Sequence, residues 1–292
     1  HVDSSAASDV YKRQVHKVMY RMIPHIFLTW LLGSVANSKI VFLKNFLIKL
    51  FIKFYKPDLN EVLVPELSFY DSYNAFFIRK LKEESRPIDH SESSFVSPVD
   101  GEIVDYGAIN ETNLIQAKKY NYPIAELIGM EWEDTFSNGF FITIYLAPTD
   151  YHRIHCPYEG LIKQTKHMGT YLYSVNKKAQ ENIPNLYIKN ERSVIHFESQ
   201  KLKYALVSVG ASIVGSIVPF WSEEKDSRKR LIKDWNQGPG ENYLIKKGQE
   251  LAHFRMGSTV VLLLENQQVI DLDSLEENKL VKFGSKLFSI QI

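Results

Sequence analysis

Three short stretches of the sequence place reactive side chains next to residues that form turns. They offer a carboxylate, a pair of histidines and a serine that follows a glycine. In the first stretch, Ser97–Gly101 (SPVDG), Pro98 and Gly101 predict a turn with Asp100 at its exposed corner. Taken alone, this pattern favours an ordinary turn aspartate that hydrogen-bonds its own backbone.

The second stretch, TDYHRIHCP, holds His152 and His155 between turn signals. Two histidines three positions apart face the same way on a helical turn and opposite ways on a strand. Structural or solvated histidines and acid–base catalysts both fit, whereas a metal pair is disfavoured because no third ligand is evident. Cys156 adjoins His155, but adjacent side chains diverge, so we interpret Cys156 as a small buried filler and not as a nucleophile.

The third stretch, HFRMGSTVVLLLE, runs from His253 to Glu265, and a Gly-Ser pair interrupts what should be a continuous buried strand. Glycine is unfavourable inside a strand and usually marks a bulge or a close approach to the backbone. The apolar run resumes at Val260. A glycine bulge is therefore the simpler interpretation of Gly257 and Ser258.

The elements that must position these residues are mainly strands. Runs of β-branched and aromatic residues with partial alternation predict strands at Gly101–Gly107, Gly139–Ala147, Gly160–His167, Ser193–Glu198, Lys203–Phe220, Glu250–Leu264 and Lys279–Ile292. Helical patterns fall at Tyr70–Leu81, Ile124–Ile128 and Ser174–Glu181. A helical opening followed by strands predicts an α+β fold, with a helical N-terminal segment and a strand-rich body that resembles a sandwich or half-barrel.

The composition is that of a folded protein with an ordinary core, since 45% of the 292 residues are hydrophobic and 24% are charged. The single cysteine excludes an internal disulfide framework and a Cys-rich zinc module. Lys and Arg number 35 against 34 Asp and Glu, which argues against a nucleic-acid binder that works through bulk charge. We expect a folded intracellular protein.

The balanced charge hides a basic segment, Val15–Lys56, with seven Lys and Arg residues and no Asp or Glu. Its longest uncharged stretch, Met22–Ser38, has 17 residues, whereas a transmembrane helix needs about 20 apolar ones. On a helical wheel, Lys49, Lys53 and Lys56 fall within about 60° of one another, and Lys44 lies off that stripe. The pattern favours an amphipathic helix at an anionic membrane surface. The alternative is a helical hairpin that packs on the protein's own core.

The three reactive stretches belong to a longer series of motifs. The series is AFFIRKLKEESRPID (Ala75–Asp89), SPVDG (Ser97–Gly101), LIQAKKYNY (Leu114–Tyr122), YHRIHCP (Tyr151–Pro157), SVNKKAQENIPNLYIKNERSVI (Ser174–Ile195), VGASIVGSI (Val209–Ile217), KKGQELAHF (Lys246–Phe254) and MGST (Met256–Thr259). In this order the motifs resemble the bacterial-type phosphatidylserine decarboxylases, pyruvoyl-dependent enzymes that are made as self-cleaving proenzymes. The resemblance covers the chain from about residue 17 to its end. One departure is Met256, where the family more often has Leu, and this swap nearly conserves volume, so we expect no effect on cleavage.

The resemblance implies a role for each candidate residue. Ser258 would attack the carbonyl of Gly257, with Asp100 and His155 as its charge relay, and the peptide bond would become an ester. Elimination and hydrolysis would then release ammonia and leave a pyruvoyl group at position 258. The products would be a β chain that ends at Gly257 and an α chain of 35 residues. His152 matches the residue implicated in decarboxylation, as a general acid or base.

The implied reaction converts phosphatidylserine to phosphatidylethanolamine and CO2. The covalent cofactor, a pyruvoyl group formed from Ser258, would form a Schiff base with the substrate amine and accept the electrons released as CO2 leaves. No metal is expected. The expected partners are an anionic membrane, the β and α chains of one precursor and a second copy in a homodimer, with no nucleic acid. Because the acyl chains stay in the bilayer, the implied location is peripheral, on the cytoplasmic face of the cell membrane.

We therefore predict three regions along the chain. Residues 1–14 (HVDSSAASDVYKRQ) show no periodicity and are interpreted as a non-native or disordered leader, and no secretory signal pattern is visible. Residues 15–65 form the basic amphipathic helical region that associates with the membrane. Residues 66–292 form the catalytic decarboxylase domain, which is cut between residues 257 and 258.

Two other functions fit parts of the pattern. A serine or cysteine hydrolase of lipid esters could use Ser258, His155 and Asp100, but its G-x-S-x-G elbow is missing and Ser258 lies within a strand pattern. A lipid-binding protein without catalytic activity could keep the fold. Both alternatives predict one intact polypeptide, whereas the decarboxylase predicts two chains.

Overall fold

Two helices at the start of the described chain precede a body built mostly of strands. The computed structural model describes residues 25–109, 113–116, 120–129, 133–169, 171–211, 217–222, 239, 242–255, 257–265, 270–271 and 275–290. The predicted leader, residues 1–14, lies outside these ranges, as do residues 15–24 and Met256. The predicted α+β organisation, a helical segment ahead of a strand-rich body, is confirmed.

The helices are short except for the first two. Within the described ranges they are α1 His25–Ala36, α2 Val41–Tyr55, α3 Tyr73–Phe77, α4 Ile124–Ile128, α5 Glu133–Phe136, α6 Lys177–Asn182 and α7 Leu186–Lys189, with 3-10 helices at Leu67–Phe69 and Glu83–Ser85. Helix α3 begins where the Ser72 side chain caps it by accepting from the Ala75 N–H at 3.1 Å. None of the helices in these ranges is both long and apolar enough to cross a bilayer.

Helix α2 has one buried face. Ile48 and Phe51 are buried, and the ring of Phe51 lies 5.9 Å from that of Phe77, centroid to centroid. Lys44 is also buried, and its ammonium donates to the carbonyl of Tyr70. The inward position of Lys44 explains why this lysine falls off the stripe formed by the other three.

An apolar cluster joins these helices to the start of the body. It includes Ala36, Ile48 and Phe51 from the helical segment, together with Tyr73 and Phe76 from α3. The cluster spans the domain boundary predicted between residues 65 and 66, and that boundary stays a prediction.

The strands account for most of the body. They are β1 Ser94–Val96, β2 Gly101–Ala108, β3 Asn113–Gln116, β4 Tyr120–Pro123, β5 Phe140–Leu146, β6 Arg153–His155, β7 Gly160–Met168, β8 Arg192–Glu198, β9 Lys203–Gly210, β10 Ile217–Pro219, β11 Tyr243–Ile245, β12 Glu250–Phe254, β13 Ser258–Leu264, β14 Ile270–Asp271, β15 Leu280–Val281 and β16 Lys286–Ile290. The stretches Lys203–Phe220 and Lys279–Ile292, each predicted as one strand, contain two strands apiece.

Eight antiparallel strands form the large sheet, in the order β11-β7-β8-β9-β13-β5-β2-β15. Strand β13 lies inside this sheet, and its side chains alternate between two cores. Val260 and Leu262 enter one core, whereas Val261 and Leu263 enter the other. The sheets β10-β12-β6 and β1-β16-β14 contribute to the first core, and helices α4, α6 and α7 contribute to the second. Strands β3 and β4 form a separate pair.

The prediction of one continuous strand over Glu250–Leu264 is wrong. Strand β12 ends at Phe254 in a small sheet, and β13 begins at Ser258 in the large sheet. Gly257 has a φ of +44°, a left-handed conformation that glycine adopts without steric cost. The Gly-Ser pair therefore marks a passage between two sheets and not a bulge within one strand.

Candidate active site

Asp100 lies directly before β2, and its carboxylate is engaged by two distant residues. Arg86 donates to it from Nε at 2.9 Å and from Nη2 at 2.5 Å, and the Phe283 N–H donates at 2.8 Å. Arg86 also forms an ion pair with Glu61 at 2.9 Å. Asp100 is therefore not a turn aspartate that serves its own backbone, but a buried carboxylate held by a guanidinium.

His155 is the last residue of β6 and is buried between aromatic rings. Its Nδ1 lies 2.9 Å from the carbonyl oxygen of Gly248, which can only accept, so Nδ1 carries the proton. Phe283 stacks on one side at a centroid distance of 3.7 Å, and Tyr151 stacks at 5.6 Å. Burial lowers the pKa of His155 to about 4, so the ring is neutral at pH 7 and its Nε2 presents a lone pair.

His152 lies just before β6 in a second, separate environment. Its Nδ1 donates to the carbonyl oxygen of Asp150 at 2.8 Å, and its ring lies 4.3 Å from that of Phe77. Burial lowers the pKa of His152 to about 3, and the charge of Arg79 contributes to the lowering. His152 is therefore also a neutral imidazole, and no described residue engages the lone pair of its Nε2. The two histidines contact different elements, as the strand alternative predicts.

Ser258 opens β13 and is fully buried. It pairs with Leu146 of β5 on one side and with Gly210 of β9 on the other. By strand alternation its side chain faces the same core as Val260, on the side of the small sheets. Among the residues that the structure describes, no hydrogen-bond partner is found for its hydroxyl.

The fold brings the predicted residues to one end of the large sheet. Leu146, the partner of Ser258, ends β5, while Asp100 precedes β2, the next strand of the sheet. The His155 N–H donates to the carbonyl of Pro98 at 2.9 Å, within the turn that carries Asp100. The Phe254 N–H donates to the carbonyl of His152 at 2.9 Å, four residues before Ser258.

Although the fold brings these residues together, their side chains form no hydrogen bonds with one another within the described ranges. Over the described ranges, the Nε2 atoms of His152 and His155 and the Oγ atom of Ser258 are all buried without a partner. Asp100 and His155 do not bond directly, since Gly248 occupies Nδ1 of the imidazole. The charge relay that the resemblance implies stays a prediction. Buried polar atoms without partners are costly. Three of them in one region are typical of a binding or catalytic site, where a ligand supplies the missing partners.

Sequence reasoning missed three charged residues of this region. Arg86 holds Asp100, and Arg79 lies near His152. The Asp150 carboxylate accepts from the Ala147 N–H at 2.7 Å, and burial raises its pKa to about 6. Both arginines lie in the motif Ala75–Asp89, which is the only local signal that could have drawn attention to them.

Cys156 is fully buried in the core, which confirms its interpretation as a filler. Its Sγ donates to the carbonyl of Tyr158 at 3.0 Å. Burial raises the pKa of the thiol to about 12, so it stays protonated and is a poor nucleophile. Across the described part of the chain, no group of three or more His, Cys, Asp and Glu side chains is arranged to hold a metal ion.

Comparisons with known proteins match both the helical segment and the body. The family described as Phosphatidylserine decarboxylase matches residues 73–289, and a second family, described as PSD, matches residues 18–56. Phosphatidylserine decarboxylase proenzymes of Escherichia coli O9:H4 (strain HS), Escherichia coli (strain SE11) and Escherichia fergusonii are each 38% identical to this chain over 272 residues. Each alignment covers 91% of this chain and 84% of the relative. This chain belongs to the phosphatidylserine decarboxylase family.

Proposed function

We propose that this chain is a phosphatidylserine decarboxylase proenzyme that cuts itself between Gly257 and Ser258. The observation that carries the proposal is the buried Ser258 hydroxyl, for which the described residues provide no partner and which follows a glycine at positive φ. This arrangement supports a serine that acts on the peptide bond on its own N-terminal side. The mature enzyme would convert phosphatidylserine to phosphatidylethanolamine and CO2.

In the proposed cleavage, Ser258 Oγ attacks the carbonyl carbon of Gly257 and the Ser258 nitrogen leaves, so that an ester replaces the peptide bond. A base must take the hydroxyl proton, and the neutral His155 imidazole, whose Nε2 lone pair is engaged by no described residue, has the chemistry for it. Loss of the Ser258 Cα proton then expels the carboxylate of Gly257. Hydrolysis of the resulting dehydroalanine releases ammonia and leaves the ketone.

The fold supports the two chains staying together after cleavage. Strand β12, on the N-terminal side of the cut, pairs with β6 and β10. Strand β13, on the C-terminal side, lies between β5 and β9 and contributes five consecutive apolar side chains, Val260–Leu264, to the two cores. Breaking the backbone between them leaves every one of these strand pairings in place. The 35-residue α chain would therefore stay attached through β13, an inner strand of the large sheet.

The residues present fit a pyruvoyl group at position 258. When formed, this group supplies a ketone that takes up the substrate amine and accepts the electrons released as CO2 leaves. The fully buried position of Ser258 would exclude bulk water from the reacting atoms. His152 is the proposed acid–base residue of decarboxylation. Because burial lowers its pKa to about 3, His152 must first take up a proton before it can donate one.

Membrane docking is proposed for helix α2, on the face opposite its buried residues. Phe42 is 83% exposed, and Phe46, Leu50 and Phe54 are exposed beside it. The lysines Lys49, Lys53 and Lys56 share this exposed side. Apolar rings beside lysines suit the interface of an anionic bilayer, where the acyl chains of the substrate would remain. The proposed location is peripheral, at the cytoplasmic face of the cell membrane.

Mass spectrometry of the denatured protein tests the proposal, because it reads the cleavage directly. We expect a chain that ends at Gly257 and a chain of 35 residues whose first residue reacts with carbonyl probes. Ser258→Ala should stay a single chain without decarboxylase activity. Ser208→Ala, which removes a buried hydroxyl from the adjacent β9, serves as the control and should be cleaved. Normal two-chain processing of Ser258→Ala would contradict the proposal.

The same measurement distinguishes the proposed decarboxylase from the two alternative functions. A lipid-ester hydrolase or a lipid-binding protein would be recovered as one intact chain that carbonyl probes do not label. The hydrolase would in addition release fatty acid, whereas the decarboxylase releases CO2.

A further inference from the structure

Arg79 is a buried cation without an anionic partner among the described residues. Only 5% of the residue is exposed. Its Nη1 and Nη2 atoms lie 3.4 Å and 3.5 Å from the carbonyl oxygens of Phe77 and Thr149, both long for hydrogen bonds, and Nε has no partner over the described ranges. Its guanidinium carbon lies 5.3 Å from the centre of the Phe76 ring. A buried charge in such surroundings is costly.

Two neighbouring arginines, the buried Arg86 and the partly buried Arg153, are satisfied in a different way. Arg86 binds Asp100 at 2.5 Å, and Arg153 binds Glu250 at 2.5 Å. Each of these guanidiniums has its own carboxylate, as buried charges normally do. The guanidinium of Arg79 can therefore bind an anion, and the described residues do not provide one in an ion pair.

Arg79 contacts residues that connect the proposed docking helix with His152. Its own contact residue, Phe77, packs against the His152 ring, with the ring centroids 4.3 Å apart and the planes tilted by 50°. On the other side, Phe76 and Phe77 pack against Phe51 of helix α2 at 6.1 Å and 5.9 Å. The positive charge reaches the imidazole, because Arg79 is one of the groups that lower the pKa of His152. A headgroup that enters from the membrane side would meet this guanidinium close to the histidine.

We propose that Arg79 binds an anionic oxygen group of the substrate headgroup, its carboxylate or its phosphodiester, and holds the headgroup beside His152. This inference rests on the proposed function, because it assigns a ligand to that same site. A guanidinium offers paired donors that match either oxyanion, and the bond would satisfy the nitrogen that now lacks a partner. The charges of Asp100 and Glu61 favour the charged guanidinium without pairing with it, and a direct bond to the substrate would offset more of the cost of burying it.

Replacement of Arg79 by methionine separates binding from folding. Arg79→Met removes the charge and keeps an unbranched apolar chain. Because no carboxylate of the described residues pairs with Arg79, we expect the variant to unfold at the same temperature as the parent or higher. It should cleave itself normally, while KM for phosphatidylserine in mixed micelles rises about tenfold to a hundredfold. A lowered unfolding temperature with an unchanged KM would assign Arg79 a structural role and overturn the inference.

Two further variants support this comparison. Lys80→Gln removes an exposed positive charge from the next residue and should leave KM unchanged. Arg79→Lys keeps the charge but loses the paired donors, and KM should rise severalfold. If Arg79→Met does not accumulate as folded protein, a parental KM in Arg79→Lys overturns the inference and a raised KM supports it.

Soluble headgroup analogues identify which oxyanion is bound. Glycerophosphoserine carries both groups, glycerophosphoethanolamine carries only the phosphodiester and L-serine carries only the carboxylate. If the phosphodiester is bound, Arg79→Lys should weaken inhibition by both glycerophosphates and spare inhibition by serine. If the carboxylate is bound, it should weaken inhibition by glycerophosphoserine and serine alone. Equal inhibition of parent and variant by all three would contradict the inference. A parent that neither cleaves itself nor releases CO2 would instead contradict the proposed function.

Discussion

The phenyl ring of Phe283 stacks on the imidazole ring of His155, with centroids 3.7 Å apart and planes 17° from parallel. The backbone N–H of the same Phe283 donates to Asp100 at 2.8 Å. Phe283 lies within the 35 residues that follow the proposed cut. One residue of the predicted α chain therefore contacts both members of the predicted charge relay, although these two share no hydrogen bond within the described ranges.

Removal of the Phe283 ring should reduce the acid sensitivity of folding. Burial lowers the pKa of His155 to about 4, so between about pH 6.5 and 4 the unfolded chain binds a proton that the folded chain does not. The stability from the neutral imidazole is present above pH 6.5 and is lost as the pH falls, by about 2 kcal/mol at pH 5. Phe283→Ala admits water to the ring, so the pKa of His155 rises and the loss shrinks.

Urea unfolding at pH 7 and pH 5 measures this difference. All samples should carry Ser258→Ala, so that each is an uncleaved chain. Phe288→Ala is the control, because Phe288 is also buried but stacks on Phe95 at 4.8 Å and not on a histidine. Both phenylalanine variants should be less stable at both pH values. Only Phe283→Ala should show the smaller difference between them, and equal differences would contradict the explanation.

The two buried histidines should separate the two reactions. His152→Ala should still be cleaved into two chains but release little CO2, because its proposed role belongs to decarboxylation. His155→Ala should remain uncleaved, because the proposed base for the Ser258 hydroxyl is lost. His90→Ala, an exposed histidine, should behave as the parent. Gel analysis and CO2 release read the two steps, and the reverse pattern would exchange the two assignments.

Gly257→Ala should fold but cleave slowly. A Cβ at this position would meet the Ala211 Cβ at 3.6 Å, which is ordinary contact, so space is not the limit. The φ of +44° is the limit, since an L-residue adopts it at a cost of about 1 kcal/mol or more. We expect the backbone to shift and the cleavage rate to fall about fivefold or more.

Gly107→Ala is the matched control for this substitution. Its Cβ would also meet a neighbour, the Phe141 ring, at 3.6 Å, but its φ is not positive. A pulse-chase experiment during expression compares the cleavage rates of the two variants with that of the parent. If both variants are cleaved at the parental rate, the left-handed conformation of Gly257 is not required.

Helix α2 should determine membrane binding. Phe42→Ser combined with Phe46→Ser removes two exposed rings and should reduce flotation with liposomes that contain anionic lipid. Lys49→Gln combined with Lys53→Gln should weaken the dependence on anionic lipid, because each lysine near the surface contributes about 1 kcal/mol. Leu244→Ser, in the edge strand β11, is the control for loss of an exposed apolar side chain. An equal effect of the control would contradict a specific role for α2.

Local patterns in the sequence were enough to predict most elements of the body. Strands such as β5 and β7 and helix α4 begin and end within a residue or so of their predicted positions. Alternation and turn signals are properties of a few neighbouring residues, so they do not depend on the tertiary contacts of the rest of the chain. The family motifs likewise indicated Asp100, His155 and Ser258 as candidate site residues, although their roles stay predictions.

The tertiary structure alone decided how distant residues meet. Lys44 turns inward to the Tyr70 carbonyl, and β12 and β13 separate into different sheets at Gly257. Arg79 contacts the carbonyl of Thr149, which is 70 positions away in sequence, and forms no ion pair with a carboxylate of the described residues. The physical reason is that such contacts depend on which strands pair and in which register. A short window of sequence specifies the shape of one strand, whereas its neighbours come from the whole chain.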